Sequence, residues 1–409
     1  MARIVMKFGG TSVEDLGRIA NVASRVQKEV NKGNQVCVVV SAMSDMTSRL
    51  VGYVQQSSPA YDPVEYDIVV SAGEQITAGL LALKLQELNT PARSWLGWQA
   101  GIYTSNSHSR ARIEEIVGSK LIESMQSGVV AVVAGFQGVH AKTMRITTLG
   151  RGGSDTSAVA LAVGVKADRC DIYTDVDGVY TADPRVVPNA QKLDTISHEE
   201  MLELASLGSK VLQTRSVEIA MNHKMPLQVL SSFEELPGTL ITSENSEEDD
   251  MEREVVVGVT AVTEEAQIIV SGIKDSPGIV ASIFEPISKA EINVDMIIQT
   301  TSSDGSTTDI TFTVPAIDAD QVVAVLEASK DSIKFKNLCA DKNIAKVSVV
   351  GIGMRSHTGV AQAMFRSLAE KGINIKDIST SEIKISVLIE KDYVELALRS
   401  LHTAYGLDK

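Results

Sequence analysis

Residues 3–12 read Arg-Ile-Val-Met-Lys-Phe-Gly-Gly-Thr-Ser, an apolar, β-branched run that ends in a lysine and a glycine pair. This composition predicts a buried strand followed by a loop whose backbone can come close to a ligand. A lysine beside backbone N–H groups at the start of a helix suits a polyanion such as a phosphate chain. The segment has neither the Walker A spacing nor the dinucleotide-binding glycine pattern, and two glycines after a strand are also typical of a tight turn.

The same alternation of short β-branched runs and longer helical patterns continues to about residue 240. Apolar residues at a spacing of three and four predict amphipathic helices over Val13–Lys32 and Gly73–Asn89, and an apolar helix over Thr156–Val165. This pattern is typical of an α/β fold with a largely parallel sheet covered on both faces. The predicted strands are Arg3–Phe8, Gln35–Val40, Val129–Ala134, Cys170–Thr174 and, closing the set, Leu227–Leu230.

Length and charge narrow the classes of function. The chain has 409 residues and a net charge of −14, which predicts two or three domains and disfavours nucleic acid and membrane surfaces as partners. No apolar run approaches the roughly 18 residues of a membrane helix. Three widely spaced cysteines without metal-ligand spacing indicate reduced thiols, so we expect a cytoplasmic protein with neither a disulfide scaffold nor a zinc site.

The last third of the chain repeats itself behind an acidic segment. Residues 244–254 hold seven acids and predict a solvated linker, which we place at 244–253. The run Pro-Gly-Ile-Val-Ala-Ser-Ile-Phe at 277–284 recurs as Thr-Gly-Val-Ala-Gln-Ala-Met-Phe at 358–365, an offset of 81 residues. Each copy reads strand, helix, strand, strand, helix, strand, but the second copy lacks its last strand. We predict that residues 254–262 complete the sheet of the second module and interlock the two.

Two further loops carry polar side chains at strand ends. Residues 147–155 read Thr-Thr-Leu-Gly-Arg-Gly-Gly-Ser-Asp before an apolar helix, and an arginine among glycines favours a bound carboxylate or phosphate. Residues 174–185 contain an Asp-Gly pair, typical of a hairpin, and a turn with a second arginine. Residues 41–47 and 71–75 also come after strand-like patterns, and they add hydroxyls and a carboxylate. Such loops converge where open α/β sheets bind ligands.

These motifs together resemble the bacterial aspartate kinases, in order and spacing along the whole chain. The resemblance rests on Lys-Phe-Gly-Gly-Thr-Ser-Val at 7–13, Ser-Ala-Met-Ser at 41–44, Ser-Ala-Gly-Glu at 71–74, Thr-Leu-Gly-Arg-Gly-Gly-Ser-Asp at 148–155 and Tyr-Thr-Asp-Val-Asp-Gly-Val-Tyr-Thr-Ala-Asp-Pro-Arg at 173–185. It implies an amino acid kinase (carbamate kinase-like) three-layer sandwich over 1–243, followed by two interlocked βαββαβ ACT modules at 264–340 and 341–409.

The resemblance implies transfer of the γ-phosphoryl group of ATP to the β-carboxylate of L-aspartate. Lys7 would neutralise the phosphoryl oxygens and Asp155 would orient it, while Arg151 holds the α-carboxylate of aspartate and Glu74 its ammonium. Further implied substrate contacts are the hydroxyls of Ser41, Thr47, Thr148 and Ser154. The implied nucleotide contacts are Lys7, Gly9, Gly10, Thr174, Asp175, Tyr180, Arg185 and Lys210. Mg²⁺ would bridge the nucleotide phosphates, with no dedicated protein metal site.

The ACT resemblance implies feedback inhibition by lysine, threonine or both. The expected effector residues are Asp275, Ser276, Gly278, Ile279, Gln299, Asn374 and Ile375. The corresponding loop of the second copy, residues 355–359, differs chemically, so we expect the two copies to bind effectors unequally. A homo-oligomer and an α2β2 assembly with a short chain starting near Met251 both stay open.

Three alternatives remain at this point. Another amino acid kinase, acting on glutamate, N-acetylglutamate or uridylate, shares the kinase body, although the paired tail argues against it. A non-catalytic amino-acid sensor could keep the body as a scaffold. Individually, Asp155 could cap its helix, Glu74 could occupy a first helical turn, and Lys210 could be a solvated charge.

Overall fold

The computed structural model describes residues 1–243, 255–303, 305–354, 357 and 359–409. The acidic linker predicted at 244–253 and Met251 lie outside the described residues. The described chain forms two compact units, and the first comprises residues 1–180, 192–206 and 210–243. Two short segments inside the predicted catalytic domain, Thr181–Gln191 and Leu207–Ser209, pack with residues 255–409 in the second unit.

The first unit contains twelve strands and eight α-helices among its described residues. Its strands are β1 (Arg3–Phe8), β2 (Gln35–Val40), β3 (Ala92–Trp95), β4 (Ile102–Thr104), β5 (Ile113–Ile116), β6 (Val130–Ala134), β7 (Gln137–His140), β8 (Ile146–Thr148), β9 (Arg169–Thr174), β10 (Thr195–Ser197), β11 (Leu227–Ser231) and β12 (Thr239–Thr242). Its helices are α1 (Leu16–Asn31), α2 (Met46–Ser57), α3 (Pro63–Val70), α4 (Ala72–Glu87), α5 (Ser119–Gln126), α6 (Gly153–Gly164), α7 (His198–Ser206) and α8 (Thr214–His223).

The main sheet has eight strands in the order β10-β12-β11-β9-β1-β2-β6-β3. All neighbours are parallel except β11 and β12, and a smaller sheet runs β5-β4-β7-β8. Helices α1 and α4 cover one face of the main sheet and α5 and α6 the other, which makes the expected three layers. On β1, Ile4, Met6 and Phe8 pack into the core on the α1 and α4 side, because side chains alternate along a strand. Lys7 therefore points to the opposite face.

The five predicted strands are present, but the sheet is larger than expected. Leu227–Leu230 was expected to close the set, yet β12 and β10 continue the sheet beyond β11, and β3 lies at the other edge. These added strands have three or four residues, too few for an alternating pattern to stand out. The first helix starts at Leu16 instead of Val13, because the Asp15 side chain accepts a hydrogen bond from the Arg18 N–H and caps it there.

One helical stretch of the described residues, 63–87, is long and apolar enough to cross a membrane by length and composition alone. This differs from the sequence expectation because α3 and α4 follow each other with only Ser71 between them. Half of its most apolar window is buried inside the protein, and Leu81 and Leu85 pack in the core beside β1 and α1. Such burial is typical of a core helix.

The second unit contains eight strands and five helices among its described residues. The strands are β13 (Gly258–Val262), β14 (Glu265–Lys274), β15 (Asp295–Thr301), β16 (Thr307–Pro315), β17 (Asn337–Asp341), β18 (Ile344–Val350), β19 (Asp377–Thr380) and β20 (Lys384–Glu390). The helices are α9 (Ile279–Lys289), α10 (Ala319–Ala328), α11 (Lys330–Ile333), α12 (Val360–Glu370) and α13 (Val394–Ala404).

The strands of this unit form two antiparallel sheets of the same plan, β15-β16-β14-β17 and β19-β20-β18-β13. In the second sheet β13, which precedes the first module in sequence, pairs with β18 from Gly258 opposite Val350 to Val262 opposite Lys346. The strand that the second copy lacks is thus supplied from before the first copy. This connection interlocks the two modules, because the second sheet is completed by a strand that precedes the whole first module in the chain.

Candidate active site

The carboxyl ends of the four central parallel strands meet at one edge of the main sheet. Three backbone hydrogen bonds continue the strand pairing into the loops: Gly9 N–H to Tyr173 O at 3.3 Å, Ser41 N–H to Phe8 O at 3.1 Å, and Gly135 N–H to Val40 O at 3.0 Å. The loops after β9, β1, β2 and β6 therefore lie side by side. This edge is where parallel sheets bind ligands.

Lys7 lies at this edge and forms an ion pair with Asp155. Its Nζ is 2.5 Å from Asp155 Oδ1, and both side chains are nearly buried. The contact is close but is not a directed hydrogen bond, since Asp155 Oδ1 has no such partner among the described residues. Asp155 belongs to the first turn of α6, so the pair joins the β1 loop to the start of that helix. Asp155 therefore lies beside Lys7, in position for the expected orienting role.

The two glycines after β1 have different surroundings. The Gly9 N–H already donates to the Tyr173 carbonyl, so the structure does not leave it available as the donor expected for a phosphate. A side chain at Gly10 would place its Cβ 3.1 Å from the Ala42 carbonyl oxygen, which is shorter than most contacts that Cβ atoms make in proteins. The absence of a side chain thus lets the β1 loop pack against the loop after β2.

Glu74 is buried in the first turn of α4 with one carboxylate oxygen unpaired. Its Oε1 accepts the Ala42 N–H at 3.1 Å, whereas Oε2 has no hydrogen-bond partner among the described residues. Burial raises the pKa of Glu74 to about 7, partly offset by its backbone hydrogen bonds. A buried carboxylate that lacks a partner is costly, so this oxygen is suited to a ligand that brings a cation.

Arg151 lies in the loop between β8 and α6 and is exposed. Its guanidinium has no ion pair or hydrogen bond with any residue that the structure describes. The loop around it is held tightly, because Gly152 has a φ of +70° and a Cβ there would lie 2.2 Å from the Gln213 side chain. Ser154 follows in the first turn of α6 and is buried. A rigid loop thus presents a free guanidinium beside the helix that carries Asp155.

The predicted hydroxyl contacts divide into two groups. Ser41 directly follows β2 and Thr47 lies in the first turn of α2, both half-buried at the site edge. Thr148 differs from the expectation: it is fully buried, and its hydroxyl donates to Asp67 Oδ1 at 2.6 Å. Its side chain is therefore occupied by a structural bond and is not presented to a substrate.

The predicted nucleotide residues lie in different parts of the structure. Thr174 is the last residue of β9 and Asp175 follows it, beside the Gly9 loop, with the Thr174 hydroxyl donating to Asp175 at 3.1 Å. Tyr180 donates to Asp177 at 2.8 Å, and burial raises its pKa to about 12. The Asp177-Gly178 pair forms bends rather than a hairpin. Lys210 is exposed in the first unit, whereas Arg185 belongs to the second unit and pairs with Asp183 at 2.7 Å.

The predicted effector residues fall into two groups, one in each ACT module. Asp275, Ser276, Gly278, Ile279 and Gln299 line one cavity of about 410 Å³ in the first module, at the start of α9. Asn374 and Ile375 lie before β19 in the second module and do not line this cavity. In the second copy, Arg355, Ser356 and Thr358 lie outside the described residues.

The sequence motifs do not reveal the residues that hold the site from behind. The buried amide of Gln137 donates to the Ser71 carbonyl at 3.0 Å and accepts from Gln75 at 3.3 Å, which ties β7 to the start of α4. Asp67 and Arg215 hold the loop of Arg151. The signal for Asp67 was available, since it is a charged residue beside the apolar run Ile-Val-Val of α3.

Comparisons with known proteins identify families for both parts of the chain. A model of the amino acid kinase family matches residues 2–231, and a model of the ACT domain matches residues 267–329 and 347–405. The aspartokinase of Pseudomonas aeruginosa is 52% identical over 408 residues, covering 100% of this chain and 98% of the relative. The aspartokinase of Corynebacterium glutamicum is 46% identical, with 100% and 97% covered.

Solved structures show the same relationship. The crystal structure of E. coli aspartokinase III in complex with aspartate and ADP, in the R-state, has a TM-score of 0.80 at 25% identity and covers 98% of this chain and 99% of its own. The lysine and aspartate complex of that enzyme, in the T-state, has a TM-score of 0.74. The chain therefore belongs to the aspartate kinase family, as an enzyme that joins an amino acid kinase domain to ACT domains.

Proposed function

We propose that the chain uses ATP to phosphorylate the β-carboxylate of L-aspartate, giving 4-phospho-L-aspartate and ADP. The observation that carries this proposal is the gathering of three complementary charges at one sheet edge. Lys7 is fixed by Asp155, Glu74 has an unpaired buried oxygen, and Arg151 has a guanidinium without a partner in the described chain. The related E. coli enzyme was crystallised with aspartate and ADP, which supports the same choice of ligands here.

The chemistry requires positioning and charge neutralisation. A carboxylate is ionised at pH 7 and is a competent nucleophile, so no general base is needed. We propose that Lys7 stabilises the charge that develops on the transferred phosphoryl oxygens, while Asp155 restricts the motion of Lys7. The nearly buried position of Lys7 strengthens this effect, because water screens the charge less.

Amino-acid recognition would use the two ends of the acceptor's backbone. Arg151 would bind the α-carboxylate and Glu74 Oε2 the α-ammonium. This pair favours a free amino acid over N-acetylglutamate, which has no ammonium, and over uridylate, which has no α-amino acid group. Ser41, Thr47 and Ser154 are the proposed hydroxyl contacts, and Thr148 would contribute through its position in the loop only.

The nucleotide would lie along the loops after β1 and β9. The close approach of Gly10 to Ala42 and the position of Thr174 beside Gly9 fit a phosphate chain, and Lys7 supplies the charge. We propose that Gly10, Thr174, Asp175, Tyr180 and Lys210 contact ATP, and Arg185 remains a prediction from the sequence. Mg²⁺ would neutralise phosphate charge, with the phosphates themselves as its main ligands.

The direct test is an ADP-release assay on the purified full-length chain. Aspartate, N-acetylglutamate and uridylate are supplied separately, with ATP and Mg²⁺. We expect turnover with aspartate only. Turnover with either other acceptor would support a different amino acid kinase, and no turnover with any of them would support the non-catalytic sensor.

We propose that the ACT modules make the enzyme subject to feedback inhibition by lysine, threonine or both. The cavity at the start of α9 offers backbone donors beside the Asp275 carboxylate and the Gln299 amide, which suit the carboxylate and ammonium of a free amino acid. The lysine complex of E. coli aspartokinase III in its T-state supports lysine as one candidate. Asn374 and Ile375 remain proposed contacts of the second module.

Replacing Gln299 by alanine should raise the half-inhibitory concentration of the effector at least about tenfold, because an amide contact is lost. The uninhibited kcat should stay unchanged. The assay adds lysine and threonine separately and together. Gln321→Ala, an exposed glutamine of α10 outside the cavity, is the matched control. Wild-type inhibition of Gln299→Ala would place the effector elsewhere.

A point variant is preferable to deleting residues 255–409, because Thr181–Gln191 packs with the deleted part.

We further propose that the reaction is the first step toward lysine, threonine, methionine and diaminopimelate, and that it takes place in the cytoplasm. The buried, unpaired thiols of Cys37 and Cys170 are consistent with a reducing compartment. We propose a catalytic domain over residues 1–243, a linker over 244–253, and ACT modules over 264–340 and 341–409, with residues 254–262 completing the second module. The proposed quaternary state is a homo-oligomer or an α2β2 assembly.

A further inference from the structure

Asp67 is a buried carboxylate next to the site that the proposed chemistry does not use. It lies on α3, has no exposed surface, and joins two segments that are distant in sequence. One is the loop of residues 105–111, between β4 and β5. The other is the segment of residues 147–152, which runs from the end of β8 through the loop before α6 and carries Arg151. We name these the back loop and the arginine loop.

The Asp67 carboxylate accepts hydrogen bonds from both loops. From the back loop, His108 Nδ1 donates at 2.7 Å, and the Ser109 N–H lies 3.1 Å from each oxygen. From the arginine loop, the Thr148 N–H donates at 3.1 Å and the Thr148 hydroxyl at 2.6 Å. Both oxygens are therefore saturated by donors, and the carboxylate acts as a junction without access to solvent.

Arg215 joins the same two loops from α8. Its Nη2 donates to the Ala111 carbonyl of the back loop at 2.9 Å, and its Nη1 donates to the Leu149 carbonyl of the arginine loop at 3.3 Å. The loops also bond directly, through the Ala111 N–H and the Thr148 carbonyl at 2.9 Å. Two oppositely charged residues from separate helices thus hold one junction.

The junction ends one residue before Arg151. Gly150 has a φ of +80°, and a Cβ there would lie 3.2 Å from the Ser109 carbonyl oxygen, so the arginine loop packs closely on the back loop. Any loosening at Thr148 or Leu149 is therefore transmitted to the guanidinium two or three residues later. A displacement of about 1 Å at a binding group can cost on the order of a hundredfold in rate.

We propose that Asp67 and Arg215 are positioning residues that hold the arginine loop in the geometry in which Arg151 binds the amino-acid acceptor. Neither touches the reacting atoms. Both act on the arginine loop, Asp67 through the N–H and hydroxyl of Thr148 and Arg215 through the carbonyl of Leu149. This inference rests on the proposed function, in which Arg151 binds the α-carboxylate of aspartate.

The test is steady-state kinetics of Asp67→Asn in the full-length enzyme. Asparagine keeps the shape but turns an N–H₂ group toward donors, so the junction should loosen. We expect KM for aspartate to rise about tenfold or more, with kcat changed less than about threefold and KM for ATP unchanged. Arg215→Lys should act in the same direction, since one ammonium cannot match a fork that reaches two carbonyls.

The matched control is Asp171→Asn. Asp171 is equally buried, lies near the amino end of β9, and is paired with Arg169 at 2.5 Å. We expect it to lower the melting temperature without changing KM for aspartate. This separates loss of a buried charge from loss of loop position.

The outcomes are distinct. If Asp67→Asn lowers the melting temperature but keeps the wild-type KM for aspartate, the role is structural and the proposal is overturned. If KM for ATP rises equally, the loop does not act through Arg151 and the proposal is also overturned. Where Asp67→Asn does not fold, Arg215→Lys is judged by the same criteria. A wild-type enzyme without aspartate-dependent turnover would instead overturn the proposed function itself.

Discussion

Replacing Lys7 by alanine should lower kcat for aspartate-dependent ADP release at least about a hundredfold, which corresponds to about 2.7 kcal/mol of transition-state stabilisation. Lys7 is the cation fixed at the sheet edge by Asp155, 2.5 Å away. Its loss also leaves the Asp155 carboxylate unpaired beside the anionic phosphoryl group. Since Lys7 is not a proposed contact of the amino acid, the affinity for aspartate should remain largely unchanged.

The measurement is kcat from ADP release together with the dissociation constant of aspartate. The matched control is Arg169→Ala, which removes a cation from an ion pair on the neighbouring strand β9, near its amino end. The control should keep kcat within a fewfold of the wild type. Near-normal turnover in Lys7→Ala would refute the proposed role of Lys7.

Replacing Glu74 by glutamine should raise KM for aspartate about a hundredfold, with a smaller change in kcat. The unpaired Oε2 is the proposed partner of the substrate ammonium, and losing a desolvated charge pair typically costs about 2–4 kcal/mol. Steady-state kinetics with varied aspartate provides the measurement. The matched control is Glu87→Gln, which changes an exposed carboxylate of the same helix and should leave KM for aspartate unchanged. Gln75→Glu is unsuitable as a control because it adds a charge.

The raised pKa of Glu74 gives the same residue a pH signature. Burial moves the pKa from 4.5 to about 7, so the free enzyme loses the carboxylate charge as the pH falls below 7. We expect kcat/KM for aspartate to fall about tenfold per pH unit below that pKa in the wild type. This limb should be absent in Glu74→Gln, and its persistence there would assign it to another group.

Stability should respond in the opposite direction. Between pH 4.5 and about 7 the folded state binds more protons at Glu74 than the unfolded state, so the free energy of unfolding decreases as the pH rises. Without ligand, Glu74→Gln should therefore be more stable than the wild type at pH 8, by about 1–3 kcal/mol. Urea unfolding of both proteins at pH 5 and pH 8 measures the difference. If the wild type and Glu74→Gln were equally stable at both pH values, the result would contradict a buried, ionised Glu74.

Local features were predictable where one element carries the signal. Strand β1 matches the predicted residues Arg3–Phe8, because a short apolar run with β-branched residues that ends at a glycine pair favours a strand. Helix ends were less accurate, since α1 starts only where the Asp15 side chain caps it. The short strands β3, β10 and β12 were missed, as their stability comes from neighbours in the sheet and not from their own pattern.

The site also divides into features that the sequence determines and features that depend on the tertiary structure. The sequence alone determined which loops are rich in glycine and charge, that residues 277–284 recur 81 positions later, and the family that the motifs resemble. Only the tertiary structure decided that Asp155 reaches Lys7, that Thr148 bonds to Asp67 and not to a ligand, and that Glu74 keeps an unpaired oxygen. The physical reason is that sequence periodicity reports the burial of one element at a time. Contacts between side chains 80 to 150 residues apart depend on the order in which strands and helices pack.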